Sequence, residues 1–324
     1  MSAPVLSVRQ LKKHFSVSQR KTVFGSKKTL YAVDGVTFDI NSGETLSLVG
    51  ESGCGKSTVG RTILCLFSPT SGEVHLNGKR IDDLPVRKMR PLRKHLQVIF
   101  QDPFSSLNPR MSVRDIIAEP LKNFGITVGE RATTERVVQI LENVGLPSDV
   151  LRRRPHEFSG GQRQRIGIAR AIAAQPDVII CDEAVSALDV SLKAQIVNLL
   201  CDLQREKGLA LLFISHDLAI VEHMTHRVAV MYLGVIVEIG TKADIFLRPK
   251  HPYTAALLSS VLVPDPKMRK SRIALKGEIP SPIDLPKGCR FSSRCPLAFD
   301  RCYSEEPALR AISQGHLSAC HLSQ

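Results

Sequence analysis

At 324 residues, with 43% hydrophobic and 23% charged side chains, the chain has globular proportions and can bury the core of one large domain or two smaller ones. Lysine and arginine outnumber aspartate and glutamate by 44 to 31, and the net charge of +13 suits nucleic acid, nucleotides or an anionic membrane face without choosing among them. The basic clusters Arg20–Lys28, Arg87–Lys94, Arg152–Arg154 and Lys267–Arg272 have few aromatic neighbours and the chain has no tryptophan, which argues against base-stacking platforms and for solvated surface.

In chain order, the N-terminal "MSAPVLSVRQLKKHF" alternates like a strand and lacks the apolar core and cleavage site of a signal peptide, so the chain is expected to remain in the cytoplasm. A strand is predicted at Thr45–Gly50, followed at once by "GESGCGKS" and the helical run "TVGRTILCLF". That is GxxxxGK[ST] in the strand, loop, helix context that binds nucleotide phosphates. Gly50, Gly53 and Gly55 let the backbone curl so that N–H groups of the loop, Glu51 and Ser52 included, face a β-phosphate at the positive end of the helix. Lys56 reaches the β- and γ-phosphates and the Ser57 hydroxyl ligates Mg²⁺, with Thr58 beside it; Cys54 reads as a small bystander.

Further strands are predicted at Gln97–Phe100, Asp177–Asp182 and Ala210–Ser215, with a helix over Thr134–Gly145 whose Val137, Ile140, Leu141 and Val144 share one core-facing stripe. Apolar strands alternating with helices predict an α/β fold with a largely parallel, covered sheet. "EFSGGQRQR" reads on its own either as a flexible loop or as a phosphate-binding helix start. "DVIICDE" ends a buried strand in two acids, so that Asp182 would steady Mg²⁺ and Glu183 would polarise a water attacking the γ-phosphate. The apolar run Val228–Val237 is about half of the roughly 20 residues a membrane helix needs. After "KHPYTAALL" the chain, rich in proline and cysteine, reads as an appendage.

With the phosphate loop, "FSGGQRQR", "CDEAVSALD" and "ISHDL" in that order, the chain resembles the ATP-binding subunits of ABC transporters over about Leu6 to Pro249. The resemblance implies a P-loop NTPase (RecA-like) core within residues 1–250, a helical subdomain near 102–170, and ATP and Mg²⁺ as bound species. It implies that Ser159, Gly160, Gly161 and Gln162 close on ATP held by a second, homologous ATPase subunit, so two nucleotides lie between head-to-tail cassettes. Gln101 matches the glutamine that contacts Mg²⁺ and water, His216 the histidine at the γ-phosphate, and Asp189 the loop that crosses between subunits. Phe15 matches the aromatic that stacks on adenine, with Tyr31 as its rival. Where many members have proline, this chain has Ala184.

The finer resemblance is to oligopeptide and dipeptide importer ATPases, through "VIFQDPFSSLNPRMSV", "VSALDVSLKAQIVNLL", "FISHDLAIVEH", "HPYTAALLSSV" and "GEIPSPIDLPKGCRFSSRCP". It implies a heterodimeric ATPase pair on the cytoplasmic face of a bacterial inner membrane, driving two permease subunits fed by a periplasmic binding protein, with no nucleic-acid partner. Nickel and glutathione importers share the pattern. A soluble ABC ATPase acting on nucleic acid is the alternative from another class, disfavoured by the single cassette and the lack of heptads. Cys289, Cys295, Cys302 and Cys320 in residues 251–324 match no common zinc or ferredoxin spacing, which leaves free structural thiols or a metal site. The resemblance implies that they ligate a [4Fe–4S] cluster.

Overall fold

The computed structural model describes residues 3–18, 27–260, 273, 275 and 277–323. The basic run Lys267–Arg272 and all but the last two residues of Arg20–Lys28 lie outside them. The chain forms two compact units, one of Met1–Leu6, Ile40–Thr45 and Leu76–Ile214, the other of Ser7–Asp39, Leu46–His75 and Ser215–Gln324.

The first unit carries parallel strands Leu96–Ile99, Val178–Asp182 and Ala210–Ile214, paired Ile99 to Cys181 and Asp182 to Ile214 at their C-terminal ends. All residues of the latter two are buried, as continuous apolar runs require of a strand covered on both faces. Three helices, Val113–Asn123, Glu130–Asn143 and Gly160–Ala173, pack on one another. The helix expected from Thr134 begins at Glu130, behind Gly129 at φ 85°, and Val137, Ile140 and Leu141 are buried on it. Val144 is buried too, at the C-cap.

In the second unit Thr45–Val49 runs parallel to Arg227–Tyr232, which pairs antiparallel with Val235–Thr241. The apolar run Val228–Val237 is therefore a hairpin. Leu233 (φ 45°) and Gly234 (φ 86°) supply the positive φ pair of a type I′ turn. The strands His316–Ser318 and Arg310–Ser313 continue the same sheet antiparallel, so the C-terminal residues are part of this unit. A second sheet orders Lys27–Ile40, Leu6–Ser18 and Ser71–Leu76 side by side.

Polar groups fix the tail in place. Glu238, fully buried, accepts from the backbone N–H groups of Lys250 (2.7 Å) and His251 (3.0 Å) and pairs with His316 Nε2 at 2.8 Å. Three partners offset the cost of a carboxylate inside the fold. Burial holds His251 down to about 4, so the ring is neutral at pH 7, and its Nδ1 accepts the Tyr253 N–H at 3.1 Å. Phe291 is buried against Tyr232 and Tyr253, with ring centroids 5.3 and 5.4 Å apart. Among the described residues no helix is long and apolar enough to cross a membrane.

Candidate functional site

The phosphate-binding loop lies wholly in the second unit. Every residue of Thr45–Val49 is buried, and the chain leaves it at Gly50 and turns into helix Lys56–Ile63. Gly55 makes the turn at φ 108°, where a Cβ would collide with the carbonyl oxygen of Ala32. Gly50 faces the carbonyl of Met231 in the same way. Only glycine lets the backbone approach this closely. Ser52 and Gly53 are exposed at the tip, and Ser57 and Thr58 occupy the first helical turn.

Lys56 is 4% exposed, and its ammonium donates to the carbonyl oxygens of Gly50 (2.8 Å) and Glu51 (3.0 Å). Both oxygen partners are neutral, so neither competes as a counter-ion with an anion entering the loop. Cys54 Sγ lies 3.8 Å from the ammonium, yet burial pushes its thiol above the ordinary value, so it stays neutral. The sequence missed two contacts, since nothing local signals them. Glu51 donates its backbone N–H to Tyr253 Oη at 2.9 Å, and its carboxylate meets Arg294 in two bonds of 2.7 and 3.0 Å.

The same unit holds the two aromatic candidates and His216. Phe15 meets Phe67 edge-on at 5.6 Å with Lys13 Nζ over its ring at 4.9 Å; Tyr31 meets His14 edge-on at 4.7 Å. His216 is exposed, and its neighbour Asp217 caps helix Leu218–Met224 by accepting the N–H groups of Ala219 and Ile220.

The remaining candidates lie in the first unit. Asp182 is buried at the end of Val178–Asp182, and Glu183 follows at φ 50°, a left-handed conformation that a residue with a side chain seldom takes. The kink is held by the Glu183 N–H on Ile214 O and by Ser186, whose N–H and hydroxyl both donate to Glu183 O, each at 3.0 Å. Strain of this kind persists where the surrounding structure over-determines it, and it is common at active sites. Cys181, just before Asp182, is pushed up to about 12 by burial and stays a thiol.

Ser159 caps helix Gly160–Ala173: its hydroxyl accepts the Gln162 N–H at 3.4 Å, and Gln162 Oε1 accepts the Ser159 N–H at 3.0 Å. This capping box gives "SGGQ" a structural task besides any ligand. Gly161 leaves room for Leu192. From the same helix Arg163 stacks on the Phe104 ring at 3.8 Å and Arg170 donates to Ser106 O at 2.6 Å, which ties it to the segment just after the exposed Gln101. Asp189 caps Val190–Lys207, and the Leu192 N–H and Ser191 hydroxyl it accepts hold its carboxyl below the usual range.

Cys289, Cys295, Cys302 and Cys320 line one pocket with His251, Phe291 and His321, and its open volume is about 10 Å³, room for a single water. Burial pushes Cys289 up to about 11, with Cys302, Cys320 and Cys295 adding to the rise. Four sulfur donors are the set a thiolate-bound group would use, although burial favours the neutral thiol form at Cys289, Cys295 and Cys320. Among the described residues, however, no group of three or more His, Cys, Asp or Glu is placed to hold a metal ion, so the expected cluster has no preformed site.

A glycine loop and buried lysine at a strand-to-helix junction, with two acids closing another strand, define a nucleotide-binding cassette. Residues 33–186 match the family described as ABC transporter, and residues 237–302 match the oligopeptide/dipeptide transporter C-terminal region. The chain is 51% identical over 321 residues to the putative oligopeptide transport ATP-binding protein YkfD of Bacillus subtilis, covering 98% of this chain and 95% of the relative. It is 50% identical over 319 residues to the oligopeptide transport ATP-binding protein OppF of Escherichia coli, again covering 98% and 95%. Among solved structures it is similar to cbiO1 of Clostridium perfringens (TM-score 0.65, 27% identity, 76% of this chain and 92% of that one). It is also similar to the dimeric bacterial ABC transporter cassette MJ0796 (TM-score 0.63, 27% identity, 73% and 98%). The chain belongs to the family of ABC transporter ATP-binding proteins. It is an ABC ATPase, and the match over its C-terminal region narrows it to the oligopeptide/dipeptide branch.

Proposed function

We propose that the chain hydrolyses ATP on the cytoplasmic face of a bacterial inner membrane to drive di- and oligopeptide uptake. It works with two transmembrane permeases, a second ATPase subunit distinct from itself and, through the complex, a periplasmic binding protein. The observation that carries this reading is identity near 50% running through the C-terminal region as well as the cassette, to proteins named for peptide transport. The cassette occupies residues 1–250, with a helical subdomain near 102–170, and 251–324 are the extension.

In the chemistry, the loop's N–H groups and Lys56 hold the triphosphate, and Phe15 or Tyr31 stacks on the adenine. Oxygen donors suit Mg²⁺, which Ser57, Gln101 and Asp182 would hold and which neutralises charge on the β- and γ-phosphates when bound. Glu183 takes a proton from the attacking water while His216 orients the γ-phosphate. Ser159 to Gln162 close on the partner's ATP and Asp189 reaches across to it. In a strain lacking this chain, the wild type restores growth on a required peptide and Lys56→Ala does not; restoration by Lys56→Ala defeats the reading.

We further propose that the four tail thiols take up a [4Fe–4S] cluster, for which the pocket as it stands, with room for one water, would have to open. The support is that all four line one pocket; burial raises the pKa values of Cys289, Cys295 and Cys320, so thiolate binding there releases protons. Purified without oxygen, the full chain should carry about four iron and four acid-labile sulfide, as a cubane requires, and Cys295→Ser should lose them. Background levels of both in the wild type would show the thiols to be structural.

A further inference from the structure

Glu51 is the only acid in "GESGCGKS" and the C-terminal residues hold it at two points. Its N–H reaches Tyr253, a fully buried side chain, and its carboxylate meets the guanidinium of Arg294 in a bidentate pair. Arg294 is 9% exposed and also donates to Tyr232 Oη at 3.4 Å. The segment that carries it is anchored just ahead of Arg294 by two residues. Phe291 packs on Tyr232 and Tyr253, and Arg290 donates to Leu233 O at 2.8 Å and pairs with Asp34 at 2.5 Å. The turn that Arg290 holds returns to the loop, where the Gly234 N–H meets Cys54 O at 3.0 Å.

A carboxylate on a loop that receives a triphosphate opposes its own ligand. The charge of Glu51 is felt inside the loop: after burial, it adds to the rise of the Cys54 thiol, 3.8 Å from Lys56 Nζ. A planar guanidinium bound through two nitrogens cancels that charge and fixes the side chain that carries it, which lysine does less well. Arg294 lies 243 residues from Glu51 in sequence. The C-terminal segment therefore has a direct route to the nucleotide.

We propose that Arg294 is a positioning residue for nucleotide binding: it neutralises Glu51 and holds the phosphate-binding loop in the form that accepts a triphosphate. This rests on the nucleotide reading of the loop, and a wild-type chain that binds no nucleotide would refute that reading rather than the role of Arg294.

The test is binding of a fluorescent ATP analogue to the full-length chain across a salt series, with thermal midpoints taken alongside. Arg294→Gln should weaken binding about tenfold at low salt, the effect of one uncompensated charge near the phosphates, and the defect should shrink as salt screens it. Arg294→Lys should recover part of the loss. Arg294→Gln combined with Glu51→Gln should return to within about threefold of wild type, since neither charge remains. A purely structural arginine would leave the double variant no better than Arg294→Gln and the defect insensitive to salt, and that result overturns the proposal. Should Arg294→Gln fail to fold, Glu51→Gln alone decides: binding as tight as wild type or tighter supports the role, and weakening beyond about threefold refutes it.

Discussion

Glu183→Gln is expected to bind ATP as the wild type does and to turn it over about 10²- to 10⁴-fold more slowly, the usual loss when a general base is removed. The substitution keeps the size of the side chain and the backbone contacts to Ile214 and Ser186 that hold the kink. Folding should therefore be unaffected. Glu183→Gly makes the complementary case. Removing the side chain at φ 50° relieves left-handed strain, so this variant should be equally inactive yet more stable by about 1 kcal/mol. Steady-state hydrolysis with thermal melts separates the two effects, and a Glu183→Gln chain with undiminished turnover would remove Glu183 from the chemistry. On the proposed reading, in which Ser159 serves the partner's nucleotide, Ser159→Arg should abolish turnover in the assembled complex while ATP still binds the isolated chain.

Gly55→Ala should cost the loop its shape. At φ 108° an alanine is strained by about 1 to 3 kcal/mol, and its methyl would also collide with the carbonyl oxygen of Ala32 and crowd Met231 Cε at 2.9 Å. Overpacking adds a similar amount, against a total stability of about 5 to 15 kcal/mol. We expect a fall of about 10 °C in the melting midpoint and loss of ATP binding. Gly53→Ala is the control: φ is 80° but nothing lies within 4 Å of the added carbon, so only strain of about 1 kcal/mol remains. Equal behaviour of the two variants would show that the close approach to Ala32 is not what fixes the loop.

Much of this was legible in the sequence because local chemistry fixes it. The four strands expected at Thr45, Gln97, Asp177 and Ala210 formed within about a residue of their predicted starts, since short apolar runs ending in polar or glycine positions have few other folds available. The phosphate loop was readable from its glycines and flanks. The strained φ at Glu183 was not, because it arises from hydrogen bonds to Ile214 and Ser186 that the surrounding fold imposes. The caps made by Ser159, Asp189 and Asp217 gave the motif residues structural tasks that motif spacing does not announce. Least legible were contacts across the chain. Tyr253 and Arg294 reach Glu51 over 202 and 243 residues, and only tertiary packing brings them there. The tail read as an appendage because its short strands Arg310–Ser313 and His316–Ser318 carry little periodicity, although they extend the sheet of the second unit.

The most direct test of the account is peptide entry into proteoliposomes that hold this chain with its permeases, its ATPase partner and a peptide-loaded binding protein. With ATP supplied on the side of this chain, labelled peptide should accumulate and hydrolysis should rise with it, and Glu183→Gln in this chain should stop both. Peptide entering at the same rate without ATP, or with Glu183→Gln in place, would contradict it.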